Sequence, residues 1–285
     1  LYKVSIVIPI YNGIENTLIC LNSLSHIKYI NYEVIVVDDG STDNSSEIIL
    51  KNYPKVKLLY GDGNLWWSGG VNKGIKYALE NGSDYVLLLN NDNFIENDIL
   101  EILMNVSNNY PNSIISSAVY DSKNNELIDA GGFFSLKQGL KLYKKYEDVN
   151  QCREIEWCGG MGVLIPKNIF ENIGLFDDIS FPQYYGDADF MYRARKLRYK
   201  ILSVPFSKVY NNVETTGLSA KIANFKDLKD VLFSIRSNNN IIINWKFYKR
   251  HFGVLRTISV IISRYYYIIG GFTKRFLKFR IIKGS

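Results

Sequence analysis

Carboxylates and carboxamides collect at five points of this chain, four of them directly behind short aliphatic runs. The run 4–8 leads into Pro9-Ile10-Tyr11-Asn12-Gly13, and the run 34–37 into Asp38-Asp39-Gly40-Ser41-Thr42-Asp43. Gly61-Asp62-Gly63-Asn64 and Asn90-Asn91-Asp92-Asn93 follow two more such runs, and Gly186-Asp187-Ala188-Asp189 stands apart. These side chains accept from hydroxyls and imide N–H groups, bind divalent cations through oxygen, and when ionised take a proton from a hydroxyl. Other chemistries lack material. The two histidines, His26 and His251, lie far apart, and Cys20, Cys152 and Cys158 form no CxxC pair, which argues against a His-based triad, a zinc site or a disulfide framework. Neither GxxxxGK[ST] nor GxGxxG occurs, so a P-loop nucleotide hydrolase and a Rossmann dehydrogenase are disfavoured.

The elements around these groups alternate. Aliphatic runs predict strands over 4–10, 33–37, 55–60, 85–89 and 114–120, and helical spacing predicts helices over 14–26, 43–51, 71–80 and 98–106. Thr42 or Asp43 and Asn97 are suitable caps for two of those helices. Strands alternating with helices imply a mostly parallel sheet covered on both faces, whose ligands bind beyond the C-terminal strand ends. One loop rich in Asn, Asp and Gly is ordinary turn chemistry. Four on one edge of one sheet describe a site. After residue 120 the alternation gives way to short strands and Gly-rich turns, a helix over 166–173, a second beginning near Asp187, and a helical aromatic stretch from about Phe225.

The quoted residues carry a resemblance. The run 4–12 and Val36-Val37-Asp38-Asp39-Gly40-Ser41-Thr42-Asp43 resemble the opening signature of family 2 glycosyltransferases of the GT-A fold. The stretch 61–70, followed by Asn72-Lys73-Gly74-Ile75, is similar to the rhamnosyltransferase-like branch of that family. Leu88-Leu89-Asn90-Asn91-Asp92 looks like its DXD element, and Gly186-Asp187-Ala188-Asp189-Phe190 with Arg193 like the segment holding its catalytic base. The likeness covers roughly 3–217. It implies an α/β GT-A fold with a nucleotide-sugar-binding half (1–120), a mixed acceptor-binding half carrying the base (121–224) and a basic aromatic helical tail (225–285).

It implies roles as well. Asp39 would accept from the base ring, with Pro9, Tyr11 and Asn12 beside it, and Asn91 would face the ribose. Asn64 and Asn72 would line the donor pocket. Asp92 would ligate Mg²⁺ or Mn²⁺, with Asn211 standing where the family often has histidine. Asp187 would be the general base of an inverting transfer, with Asp189 its competitor. Trp157, Gly159, Gly160 and Asp189 would meet the acceptor. Of Trp66 and Trp67, one is expected in the core and one in the pocket, and Lys73 and Arg193 are candidates for the diphosphate. Gly186 replaces the acidic residue that usually precedes the base. The implied reaction moves rhamnose or another hexose from a nucleoside-diphosphate sugar to a saccharide or lipid-linked acceptor in bacterial polysaccharide or glycolipid synthesis.

Charge divides the chain. All 28 acidic residues precede residue 231, whereas eleven of the 34 basic ones follow it. Basic residues interleaved with aromatics suit an anionic membrane surface. The apolar stretch 258–269 is flanked and broken by Arg256 and Arg264, and Gly270-Gly271 is expected to interrupt it, so the tail should lie on a membrane without spanning it. The opening run lacks the charged start and cleavage site of a secretory leader, and the cysteine pattern suits a reducing compartment, so a cytoplasmic enzyme peripheral to the inner membrane face is expected. Two other classes stay open. A nucleotidyltransferase uses similar parts, but the loop after the first strand lacks the basic residues that class offers. A nucleic-acid-binding protein would use the basic tail, but the prospective cleft is acidic and amide-rich, so no nucleic-acid partner is expected.

Overall fold

The computed structural model describes residues 1–212, 222 and 224–283, with side chains described as far as Lys274. Its core is the parallel set β1 (Val4–Ile10), β2 (Tyr32–Asp38), β3 (Lys57–Tyr60) and β4 (Tyr85–Leu88), in spatial order β3-β2-β1-β4. Alternate residues of β1 go to opposite sides. Val4, Ile6 and Ile8 join Leu21 and Leu24 of α1 (Ile14–Leu24) and Leu103 of α4 (Ile99–Asn109), while Val7 joins Val71 and Ile75 of α3 (Trp66–Glu80). Helices on both faces explain why the strands read as unbroken aliphatic runs.

The second half turns the sheet mixed. β11 (Val163–Pro166) runs antiparallel between β4 and β6 (Ile114–Asp121), and β12 (Ile201–Asn211) lies parallel to β6. Short strands complete it: β5 (Asn93–Ile95) and β10 (Arg153–Glu154) on β12, and β7 (Leu127–Asp129) on β6. A separate hairpin joins β8 (Gly132–Ser135) to β9 (Gly139–Leu142). The result is a central mixed sheet flanked by helices, as expected.

Helix ends depart from expectation. α2 (Ser45–Asn52) has Asn44 at its N-cap, in the left-handed region at φ 61°, and α4 has Asp98 there; neither side chain caps. Asp43 instead serves two helices, its Oδ2 accepting from Ile14 N–H at 3.1 Å and its Oδ1 from Ser45 N–H at 3.2 Å. α3 starts five residues earlier than the spacing indicated, at Trp66. Pro166 is the N-cap of α5 (Lys167–Ile173), and α6 (Gly186–Lys196) opens one residue before Asp187.

The chain divides into two compact units, Leu1–Phe133 with Leu142–Pro182 and Gly186–Thr215, and Phe134–Lys141 with Gln183–Tyr185 and Thr216–Ser285. The second contains α7 (Phe225–Phe233), α8 (Ile241–Phe252) and α9 (Val254–Lys283). Asn224 and Asp227 form a capping box on α7, and Asn240 caps α8 by accepting from Ile242 and Ile243 N–H. Contrary to expectation, α9 continues through Gly270-Gly271. A glycine costs a helix only about 1 kcal/mol relative to alanine, too little to stop one this long. Leu255, Ile258, Ile262, Tyr266 and Ile269 of α9 recur at helical spacing and are all exposed.

Candidate active site

Parallel pairing of β3, β2, β1 and β4 brings their C-terminal ends to one edge, and with them the residues singled out for the donor. Pro9 is within β1, and exposed Tyr11 and half-buried Asn12 follow it. Asn12 sits at φ 60°, its amide N–H donating to Ser41 Oγ at 2.7 Å and its Oδ1 accepting from Thr42 N–H at 2.8 Å, so it stitches the β1 loop to the β2 loop. Asp39 is 6% exposed. Its Oδ1 accepts from Gly63 N–H at 2.9 Å and its Oδ2 from Trp66 N–H at 3.0 Å. That clamp fixes the carboxylate at the start of α3 and leaves each oxygen a further lone pair for a ligand donor. Asn64 remains exposed on the β3 loop, its N–H donating to Asp62 Oδ1.

Beyond β4, Asn90 Oδ1 accepts from Trp67 Nε1 at 2.8 Å, and Asn91 Nδ2 donates to Thr17 Oγ1 at 3.1 Å. Asp92 is half-buried, and its backbone carbonyl accepts from Asn212 N–H at 3.5 Å. In the β5–β12 ladder Asn211 stands opposite Asn93, which places Asn211 beside the Asp92 turn. Asn211 is 3% exposed, and its buried Nδ2 has no hydrogen-bond partner. Among the described residues no three His, Cys, Asp or Glu side chains gather into a metal cluster. Asn211 Nδ2 is a donor and cannot ligate a cation. The oxygens that could are Asn211 Oδ1 and the Asp92 carboxylate, and Mg²⁺ takes one or two such protein ligands with phosphate oxygens and water completing its shell.

Asp187 lies at the first turn of α6, half-buried, with Ala188 N–H donating to its Oδ1 at 2.7 Å. Burial pushes its carboxyl up to about 6; the Ala188 amide opposes that shift and nearby Asp129 adds to it. It faces the turn Trp157-Cys158-Gly159-Gly160, where a β-carbon on Gly159 would lie 3.8 Å from Asp187 Oδ2 and one on Gly160 would overlap the Trp67 ring. Trp67 therefore bridges the two regions, bonded to Asn90 on one side and lying under Gly160 on the other, with its ring edge-on to Phe176 at 5.5 Å. Trp157 is half-buried and pairs with Gly132 through an isolated bridge; its Nε1 is buried without a hydrogen-bond partner.

Three residues fall elsewhere than expected, while Lys73 stays at the β3 end of the donor edge. Asn72 is 5% exposed and ties α3 to the chain after α5: its Nδ2 donates to Phe176 O and Asp178 Oδ2, and its Oδ1 accepts from Phe176 N–H. With donor and acceptor both engaged internally, it belongs to the scaffold and not to a donor pocket. Asp189 is fully buried against Arg193, 2.8 Å from Nε, and is not placed to meet an acceptor. Arg193 turns its other nitrogens to the carbonyls of Ile173 and Leu175, away from any diphosphate. Lys73 Nζ donates to Tyr60 O. Side chains two residues apart on a helix point in different directions, which is why only one carboxylate of the Asp187/Asp189 pair faces the turn. Asp129 went unnoticed in the sequence. It is a single acid in a three-residue strand, and no local spacing links it to Asp187.

Comparison with known proteins agrees with this architecture. The chain is 30% identical over 179 residues to an uncharacterised glycosyltransferase of Rickettsia typhi, 61% of this chain and 54% of that protein, so it spans about half the length of such a relative. Among solved structures, residues 1–349 of S. aureus TarS superpose with a TM-score of 0.59 at 15% identity, covering 94% of this chain and 92% of that one. GalNAc-T7 with UDP, GalNAc and Mn²⁺ superposes at 0.62 and 13% identity, covering 92% of this chain and 55% of that one. The family description that matches residues 5–174 is "Glycosyl transferase family 2". With more than half of its length matched and its strand ends carrying that family's motifs, the chain belongs to glycosyl transferase family 2.

Proposed function

We propose that this chain is an inverting, nucleotide-sugar-dependent glycosyltransferase in which Asp187 is the general base. One observation carries the reading. A half-buried carboxyl with its pKa pushed up to about 6 faces a Gly-rich turn that rests on Trp67, the same ring that holds the Asn90 end of the donor edge. Such a carboxylate is ionised at neutral pH yet basic enough to take a hydroxyl proton as the acceptor oxygen attacks the anomeric carbon. The displaced nucleoside diphosphate leaves on the opposite face, which is what makes the transfer inverting; the arrangement parallels the base of inverting glycosidases, with a sugar hydroxyl in place of water.

On the donor side Asp39 accepts from the base ring with Pro9 and Tyr11 beside it, Asn91 faces the ribose, and Asn12 and Asn64 shape the loops around the diphosphate. Asp92 and Asn211 would hold a divalent cation, Mg²⁺ or Mn²⁺, which neutralises charge on the leaving diphosphate. Trp157, Gly159 and Gly160 form the acceptor wall. Rhamnose or another hexose is the sugar we propose, from the likeness of 61–75 to the rhamnosyltransferase-like branch, and a saccharide or lipid-linked saccharide of bacterial polysaccharide or glycolipid synthesis is the acceptor.

We further propose that the tail rests on the anionic inner face of the cell membrane. Support comes from the exposed stripe on α9 and from eleven basic residues without one acid after Asp230. No helix among the described residues is long and apolar enough to cross a membrane. Arg275, Lys278, Arg280 and Lys283 of the tail carry side chains outside the described residues.

The test is a panel of UDP-, dTDP- and GDP-sugars with and without Mg²⁺ or Mn²⁺, read by thermal shift and by release of nucleoside diphosphate. One nucleotide class should raise Tm, more so with metal, and support turnover. A panel that neither shifts Tm nor turns over in any combination would overturn the reading.

A further inference from the structure

Asp129 ends β7 and is buried, 6% exposed, with no role in the reaction as described so far. Its Oδ1 accepts from Gly131 N–H at 2.7 Å and its Oδ2 from Gly159 N–H at 3.3 Å. The first bond closes the turn into β8, and the second reaches thirty residues along the chain to the turn that Asp187 faces. A β-carbon at Gly159 would lie 3.2 Å from Asp129 Oδ2 and 3.8 Å from Asp187 Oδ2. Both carboxylates thus border the space that a side chain at Gly159 would fill.

We propose that Asp129 is a positioning residue for sugar transfer, holding the Gly159 turn against Asp187 and opposing that base with a second carboxylate across the turn. The inference rests on Asp187 being the base. Its physical basis is that two acids facing each other in a desolvated place do not ionise independently, and each makes the other's proton harder to remove. The groups nearby do little to relieve this. Cys158, on the same turn, is buried with its thiol pushed up and so uncharged, and the Tyr146 phenol is pushed up by burial. Asp189, next on α6, is neutralised by Arg193. Arg153 lies over the Tyr146 ring and pairs with Glu147, and among the described residues no cation pairs with Asp129 or Asp187. Burial raises the Asp129 carboxyl as well, with the Gly131 and Gly159 amides opposing the shift. Asp187 therefore owes part of its elevated basicity to Asp129, which is set in place by backbone amides and needs no contact with either substrate.

The experiment follows side-chain carboxyl titration by NMR of the full chain labelled with ¹³C at aspartate Cγ, with Asp187 and Asp129 assigned from Asp187→Asn and Asp129→Asn. In the parent protein Asp187 should titrate near 6. In Asp129→Asn its midpoint should fall by about half a pH unit or more, and the acid limb of turnover on the active donor of the panel should move down with it. The coupling energy is reciprocal but is shared between the two macroscopic steps of the pair, so in Asp187→Asn the Asp129 curve should either move down or lose its second step. That second measurement keeps the idea testable if Asp129→Asn fails to fold. Midpoints that do not move in either variant would overturn the inference even with Asp187 as base. Normal turnover of Asp187→Asn would instead remove the base assignment while leaving the measured coupling in place.

Discussion

At the scale of single residues, the carboxylates of the site differ in what holds them, and the differences are measurable. Asp39 is clamped by the N–H groups of Gly63 and Trp66, whereas Asp92 lies in a turn beside Asn211 with its Oδ1 accepting from Asn93 Nδ2 at 3.4 Å. Asp39→Ala should therefore weaken nucleoside-diphosphate binding with or without metal, and Asp92→Ala chiefly when metal is present. Calorimetry on both variants decides this; equal metal sensitivity would refute the division of roles. Asp187 makes a separate prediction about stability. Folding raises its pKa from 3.8 to about 6. The folded chain thus holds that proton more tightly than the unfolded one, and the cost of ionising it grows as pH climbs from 3.8 to about 6 and is constant above. Asp187→Asn removes the cost. Its Tm should exceed the parent's at about pH 7.5, with the gain shrinking towards pH 4, a sign opposite to that of a lost stabilising ion pair.

At the scale of elements, packing of α3 on the sheet decides how close the donor loops can lie. Gly74 faces Val7 and Val37, and a β-carbon there would overlap Val7 and lie 3.2 Å from Val37 Cγ2. Gly74→Ala should cost about 1–3 kcal/mol by overpacking, seen as a lower urea midpoint with an unchanged slope. The strands of this region were legible from aliphatic runs alone, to within two residues at either end. The start of α3 was not, because its capping carboxylate is Asp39, twenty-seven residues upstream, and Trp66 enters at φ 55°. Local spacing cannot show a cap delivered by another strand's loop. Asn72 and Asp189 were misplaced for a related reason: their motifs are visible in sequence, but the partners that turn them inward, Phe176, Asp178 and Arg193, come from the fold. Asp129 and the Trp67–Asn90 bond were invisible for the same cause. The motifs mark which side chains gather at the strand ends, and long-range contacts decide which way those side chains turn.

At the scale of the whole molecule, the acidic residues lie before residue 231 and the exposed apolar stripe of α9 after it. Each basic side chain near an anionic surface contributes roughly 1 kcal/mol, and salt screens it. The full chain should co-sediment with vesicles containing phosphatidylglycerol at low salt and less so at high salt, and Leu255→Glu with Ile262→Glu should weaken that binding. Sedimentation indifferent to lipid charge, or unchanged by both substitutions, would take the membrane out of the account. The central claim, that Asp187 removes the acceptor proton, is tested most directly by the pH profile of sugar transfer at saturating donor in the parent and in Asp187→Asn. The parent kcat should fall as pH drops below about 6, and the variant should be slower by about a hundredfold or more, with that limb gone and donor affinity nearly intact. Parental kcat in Asp187→Asn, with Asp189→Asn crippled although folded, would contradict it.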